Sequence, residues 1–247
     1  MKLDLTTVRL GRGAHRPTAN GPTGARDMCL MEAVALFAGE PWRDNPVCAC
    51  PVLSAFLRKW NDALSDDDRD RLLPADVWVP RLIGTKAKHT VEERRSYLAL
   101  DWVIRTYTPA WLDLTPAFAE HAAALRSLPR LEAEADKGGN QGPRHYPLIT
   151  EIDQAVMQAA KEVKHKDHSF FWDNPVGFSA AGAAAAAVWG RCSHRGALAG
   201  DSARQTSRSA LWVALNADLD IAPTVEKLQQ SALDLLDRML LCGEEIK

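Results

Sequence analysis

Apolar residues recur at steps of three and four along most of this chain, and this spacing limits the possible folds more than any other feature of the sequence. One row near the carboxyl end consists of Val225, Leu228, Ala232, Leu235, Met239 and Cys242. Side chains at these steps share one face of an α-helix. A second row, Leu233, Leu236 and Leu240, predicts a helix buried on two sides. The alternative is a seam through which residues 225–242 form a homodimer.

Proline and capping residues mark where helices begin. Asp27 is positioned to cap a helix to about Ala38, Pro51 suits a first helical position, and Ser65 precedes three aspartates. Thr90 and Glu93 form a capping-box pattern. The predicted helices cover about 28–38, 51–64, 66–73, 91–106, 150–165, 178–191, 201–216 and a last one from Pro223, with two short helices around Trp111 and Phe118.

The segment Leu3 to Leu10 alternates apolar and polar residues and contains β-branched side chains, which is typical of a short strand. An irregular glycine-rich arm follows. The predicted fold is therefore all-α, a compact multi-helix array with one short N-terminal β-strand.

A charged stretch followed by Gly138-Gly139-Asn140-Gln141-Gly142-Pro143 predicts a subdomain boundary. The division is residues 1–135, a helical subdomain with the arm, and residues 144–247, an alanine-rich helical subdomain. One continuous domain is the alternative. The alanine run at 180–187 is expected to pack closely between neighbouring helices, because small side chains let backbones approach.

Composition and the most apolar segments argue against several classes of protein. The net charge of −2 gives no general case for nucleic-acid binding, which is therefore not the leading expectation. The amino terminus does not resemble a secretory signal, and the most apolar stretch is too short to span a bilayer, so no membrane association is expected. Five cysteines, an odd number, argue for reduced thiols and a cytoplasmic location.

Compact catalytic motifs are absent from the sequence. There is no phosphate-binding glycine loop, no Gly-x-Ser-x-Gly nucleophile motif and no His-Glu-x-x-His zinc helix. These motifs are short and mechanically required by their chemistry, so their absence disfavours the corresponding enzymes.

Cys29, Cys48 and Cys50 are candidate zinc ligands, because thiolates bind zinc and two ligands can lie one residue apart. The Cys-x-x-Cys spacing of zinc knuckles is missing, and the spacing selects neither His15 nor His89 as a fourth ligand. Ordinary buried thiols are the alternative interpretation.

A second candidate group is Glu162, His165 and His168. Glu162 and His165 are three residues apart, the spacing that helical di-metal sites use. No second Glu-x-x-His is present, and neighbouring lysines favour a solvated helix end instead.

Two further residues stand out. Glu32 lies in an otherwise apolar helix and is the carboxylate expected to be partly buried, where a salt bridge or a functional role would explain it. Trp42, in a proline-flanked loop, is expected to fix that loop to the core.

Several runs resemble a group of uncharacterised proteins from bacteria and their phages, over about residues 5–125 and more loosely 178–242. They are Met28-Cys29-Leu30-Met31-Glu32-Ala33, Gly39-Glu40-Pro41-Trp42, Cys50-Pro51-Val52-Leu53, Trp60-Asn61-Asp62, Pro80-Arg81-Leu82-Ile83-Gly84-Thr85 and Asp101-Trp102. The resemblance implies a phage or mobile-element context but no mechanism and no residue roles.

The sequence therefore predicts a non-catalytic binding or regulatory protein that acts through helical surfaces on a protein partner or a small ligand. A zinc-stabilised or metal-dependent enzyme using Cys29, Cys48 and Cys50 is one alternative. A nucleic-acid-binding protein is another.

Overall fold

The computed structural model describes residues 3–17, 21–131, 146–163, 179–188 and 194–242. The prediction of an all-α fold is confirmed, since these residues form helices joined by turns and no strand occurs among them. The helices are α1 (Leu30–Phe37), α2 (Pro51–Ala63), α3 (Asp66–Leu72), α4 (Ala75–Leu82), α5 (His89–Trp102), α6 (Thr108–Leu112), α7 (Ala119–Ser127), α8 (Tyr146–Glu162), α9 (Ser179–Val188), α10 (His194–Asn216) and α11 (Ala222–Leu241).

The predicted N-terminal strand is wrong. Leu5–Thr7 form a 3-10 turn, in which the backbone N–H of Thr6 donates to the Asp4 carboxylate at 3.0 Å. Arg9 and Ala25 form only an isolated parallel bridge. Short polar side chains can bond the local backbone and so compete with sheet pairing, and the described residues contain no second strand with which this segment could pair.

The starts of α2 and α3 are as predicted, but two other caps are not. Pro51 is the first residue of α2, and Ser65 accepts the N–H of Asp68 at 3.1 Å. Asp27 instead accepts from the backbone of Thr23 and Gly24, upstream of the helix it was expected to cap. The helix that was expected to begin after Thr90 begins at His89, so the predicted capping box is not what starts it.

Helices α5 and α6 are joined without a break by a π-helical turn, Val103–Tyr107. Pro109 lacks an N–H, and in a regular α-helix its ring would clash with the Arg105 carbonyl. The wider turn directly before it avoids this conflict, and the Thr108 N–H reaches the Val103 carbonyl. The Thr108 hydroxyl also bonds Ser207 at 3.0 Å, which joins this turn to α10.

The alanine-rich helix α9 lies in the interior, against α2, α5 and α10. Ala183, Ala184 and Ala187 are buried, which confirms the prediction of close packing. At Gly200 of α10 an added Cβ would make only ordinary contact with Leu100. The described residues of both halves thus share one hydrophobic core, while the division near residue 140 lies outside the described residues and stays a prediction.

The apolar row of α11 faces inward. Leu228, Ala232, Leu235 and Met239 are buried within the same chain, and α11 contacts α5 and α6. Dimerisation through residues 225–242 stays a prediction, and it would have to use the polar outer face of this helix. Within the described part of the chain, no helix combines the length and apolar character needed to cross a membrane.

Candidate functional site

A buried carboxylate joins the N-terminal arm, residues 3–17, to the first helix. Glu32 is 1% exposed and accepts three hydrogen bonds. Two come from His15, through the backbone N–H at 2.7 Å and the ring Nδ1 at 2.9 Å. The third comes from the backbone N–H of Cys29 at 2.7 Å. The carboxylate therefore replaces the water that each of these donors would otherwise bind.

The position of Glu32 follows from the start of α1. Cys29 is the N-cap residue, and Glu32 is the third residue of the helix. A glutamate at this position reaches back to the N–H of the N-cap residue, as in a capping box. Glu32 uses one oxygen for this and still has capacity to bind His15.

Side chains from two other elements fix the arm on either side. Trp42 Nε1 donates to the His15 carbonyl at 3.0 Å. Asn61 Nδ2 donates to the Gly11 carbonyl at 2.9 Å, and Asp62 accepts from the Gly13 N–H at 2.8 Å. Glu32 and Trp42 thus both form hydrogen bonds with His15, which the sequence did not place beside them.

The backbone of the arm passes very close to the Arg26 backbone at Gly11. A Cβ at this residue would lie 2.3 Å from the Arg26 carbonyl oxygen and 2.7 Å from His15 Nε2. Real Cβ atoms do not come this close to backbone, so the arm can pass here only with glycine. Gly13, at φ 83°, then turns the chain in a conformation that glycine adopts easily.

The chemistry of this cluster is that of a positioning network. An imidazole with Nδ1 held by a carboxylate is a common component of acid–base sites. The neighbouring thiol is not a nucleophile, however, because burial and the negative charge of Glu32 raise the pKa of Cys29 to about 12. A thiol with such a pKa stays protonated at neutral pH, and the thiolate is the reactive form.

The three candidate zinc ligands lie at two helix starts, with Cys48 in the turn before Cys50. Cys29 precedes α1 and Cys50 precedes α2, and both are buried. Cys48 is partly exposed, and burial and the adjacent Glu40 raise its pKa. In the described ranges, no three His, Cys, Asp or Glu side chains are grouped so that they could hold a metal ion. The geometry therefore adds no support to the zinc hypothesis, which stays a prediction for elemental analysis of the purified protein.

The Glu162 candidate can be followed only in part. Glu162 is exposed at the end of α8 and accepts a hydrogen bond from Gln158 Nε2 at 3.0 Å. His165 and His168 lie outside the described residues. The metal and solvated-helix interpretations of this group both stay predictions.

A groove between α8 and α10 was not predicted from the sequence. It has a volume of about 320 Å³ and is open to solvent. The lining residues are Met157, Ala160, Gln205, Arg208, Ser209 and Trp212. Met157 is 39% exposed although it is apolar. The helical periodicity of each segment was visible, but which two helices would be neighbours was not.

The same two helices are joined by a hydrogen bond from the Thr206 hydroxyl to Asp153, one turn before Met157, at 3.1 Å. Burial raises the pKa of Asp153, and the bond from Thr206 opposes this. Thr206 is the hydrogen-bond partner of Asp153 in the described part of the chain, and a single hydroxyl compensates this partly buried carboxylate only in part.

The stretch from Leu5 to Arg26, which contains most of the arm, has an excess of positive charge. The residues from Leu5 to Arg26 include four arginines and one histidine but no aspartate or glutamate. Arg9 and Arg26 pair with Asp70, at 3.7 and 2.9 Å. The side chains of Arg12 and Arg16 are exposed. The absence of acids over this length was a signal that could have identified the arm.

Comparison of the chain with models of protein families, with curated proteins and with solved structures finds no match. The chemistry of the arm and of the groove therefore carries any inference about function.

Proposed function

We propose that this chain is a non-catalytic binding protein, and that it takes an amphipathic helix of a partner protein into the groove between α8 and α10. The observation that carries the proposal is the lining of that groove. Met157, Ala160 and Trp212 supply apolar surface, and Gln205, Arg208 and Ser209 supply polar groups. A lining that combines apolar surface with polar groups is typical of surfaces that bind proteins.

The dimensions of the groove favour a protein partner over a small molecule. Pockets for small ligands usually enclose about 300–1,000 Å³ and bury most of the ligand surface. This groove is at the lower limit, at about 320 Å³, and is open along one side. It can take one or two side chains of a helix that lies across it, as in helix-in-groove recognition.

The polar cluster at His15 is compatible with this function. Its carboxylate is occupied by three donors and its thiol stays protonated, so it has no group prepared for attack on a substrate. A role in holding the arm accounts for each of its contacts.

The test is a selection of peptides from a random library against the full-length chain, followed by binding measurements on two variants. Met157→Asp places a charge in the groove. Ala155→Asp places the same charge at an exposed position on the other flank of α8. We expect selected peptides to carry apolar residues at helical spacing and to bind Met157→Asp at least about tenfold more weakly, a loss of about 1.4 kcal/mol.

Ala155→Asp is the matched control, and peptide affinity should change by less than about twofold, because a solvated charge on this flank is screened from the groove. Selected peptides that bind both variants as well as the unmodified chain would refute the groove as the binding site.

A further inference from the structure

The arm presents two arginines on a backbone that is fixed from several sides. Arg12 lies between Gly11 and Gly13, whose backbone groups bond Asn61 and Asp62 at 2.9 and 2.8 Å. Arg16 follows His15, which Glu32 and Trp42 hold. A cation on a fixed backbone loses less conformational freedom when it binds than a cation on a mobile chain does. The arm therefore holds the backbone of these two arginines in place, while their side chains extend from it and are exposed.

The positive charge of Arg12 and Arg16 is not used within the described structure. Both side chains are exposed, and neither forms an ion pair with a described residue. The two carboxylates bonded to this part of the arm, Glu32 and Asp62, accept from the arm itself. The exposed guanidinium donors remain available to an external acceptor.

We infer that Arg12, His15 and Arg16, which we call the arm surface, bind an acidic segment of a partner protein. Guanidinium groups bind carboxylates through two parallel hydrogen bonds, which are among the stronger polar contacts in proteins. The His15 ring, with 21% of its side chain exposed, lies between the two arginines in the sequence. The surface uses none of the residues that line the groove between α8 and α10.

The surroundings of the arm surface favour a short acidic peptide over a nucleic acid. Nucleic-acid binding usually neutralises many phosphates along a basic stripe. Here Asp66 and Asp70 lie beside Arg26, and α3 begins with three aspartates. A long polyanion that followed the arm would meet these carboxylates, whereas a few acidic residues can cover the arm surface alone.

The experiment measures fluorescence anisotropy of a labelled oligoglutamate peptide with the full-length chain at low salt. We expect saturable binding that weakens as salt is added, because solvent-exposed charges are screened. The double variant Arg12→Glu and Arg16→Glu should bind at least about tenfold more weakly. A labelled single-stranded oligonucleotide is measured in parallel and should bind more weakly than the peptide.

The matched control is the double variant Arg94→Glu and Arg238→Glu, which changes net charge equally at exposed positions on α5 and α11. It should change peptide affinity by less than about twofold, since its charges lie outside the arm. Circular dichroism verifies that both double variants are folded. Equal loss in the two double variants, tighter binding of the oligonucleotide, or no peptide binding at low salt would each overturn the inference.

Discussion

Replacing Glu32 with alanine should destabilise the protein far more than the same replacement of an exposed glutamate does. The substitution leaves the Cys29 N–H buried without an acceptor and removes both bonds from His15. A hydrogen bond to a charged group contributes about 1.5–3 kcal/mol, and an unsatisfied buried donor costs a similar amount. Losing the bond from the buried Cys29 N–H should cost its full free energy, whereas water can partly replace the bonds from the partly exposed His15. We expect a loss of about 3–5 kcal/mol in the free energy of unfolding.

Urea denaturation followed by circular dichroism and by tryptophan fluorescence measures this loss, and coincident transitions verify that one free energy describes both signals. His15→Ala removes only the ring bond and should cost about 0.5–1.5 kcal/mol. Glu151→Ala, at an exposed position on α8, is the control and should stay within about 0.5 kcal/mol of the unmodified chain. If Glu32→Ala costs no more than His15→Ala, the carboxylate does not fasten the arm and the interpretation of the cluster is wrong.

Three further predictions concern other contacts. Gly11→Ala forces a Cβ against the Arg26 carbonyl and should lower the free energy of unfolding by about 1–3 kcal/mol in the same denaturation assay. At Gly182 of α9 a Cβ would lie in open space, so Gly182→Ala should raise the free energy of unfolding by about 0.5–1 kcal/mol. Burial raises the pKa of Asp153, so the ionised carboxylate destabilises the folded state. Replacing it in Asp153→Asn should therefore increase the urea midpoint at neutral pH. This gain should disappear as the pH falls below the ordinary aspartate pKa of about 4, because the carboxyl group is then protonated in both states. The pKa of Cys29 is raised to about 12 and the residue is buried, so iodoacetamide at mildly alkaline pH should label it only after unfolding. Peptide mass spectrometry detects the label. Labelling of Cys29 in the folded chain would contradict its burial.

The sequence predicted the helices well where local chemistry decides them. Pro51 and Ser65 begin helices because a missing N–H and a side-chain acceptor act within one turn of the backbone. The apolar row of α11 predicted its buried face for the same reason, since the spacing alone sets which side chains share a face.

Local patterns failed where another interaction competed. Asp27 is a residue type that can cap a helix, but its carboxylate accepts hydrogen bonds from Thr23 and Gly24 instead. Leu3 to Leu10 alternates like a strand, but a strand needs a partner, and the only pairing the arm makes in the described residues is the bridge between Arg9 and Ala25.

In the candidate site, too, some residues could be predicted from local sequence and others could not. Glu32 and Trp42 could be singled out because a carboxylate in an apolar helix and a tryptophan in a proline-flanked loop are unusual in themselves. Their common partner, His15, could not be identified, because the contact between them depends on how the arm crosses α1 and α2.

The sequence by itself determined the all-α class, the positions of most helices and the inward face of α11, because hydrogen bonding and side-chain spacing along a helix are local. Only the tertiary structure decided that α8 and α10 form a groove and that Glu32 and Trp42 meet at His15. Contacts between segments far apart in the chain depend on the packing of the whole core, which no short run of residues encodes.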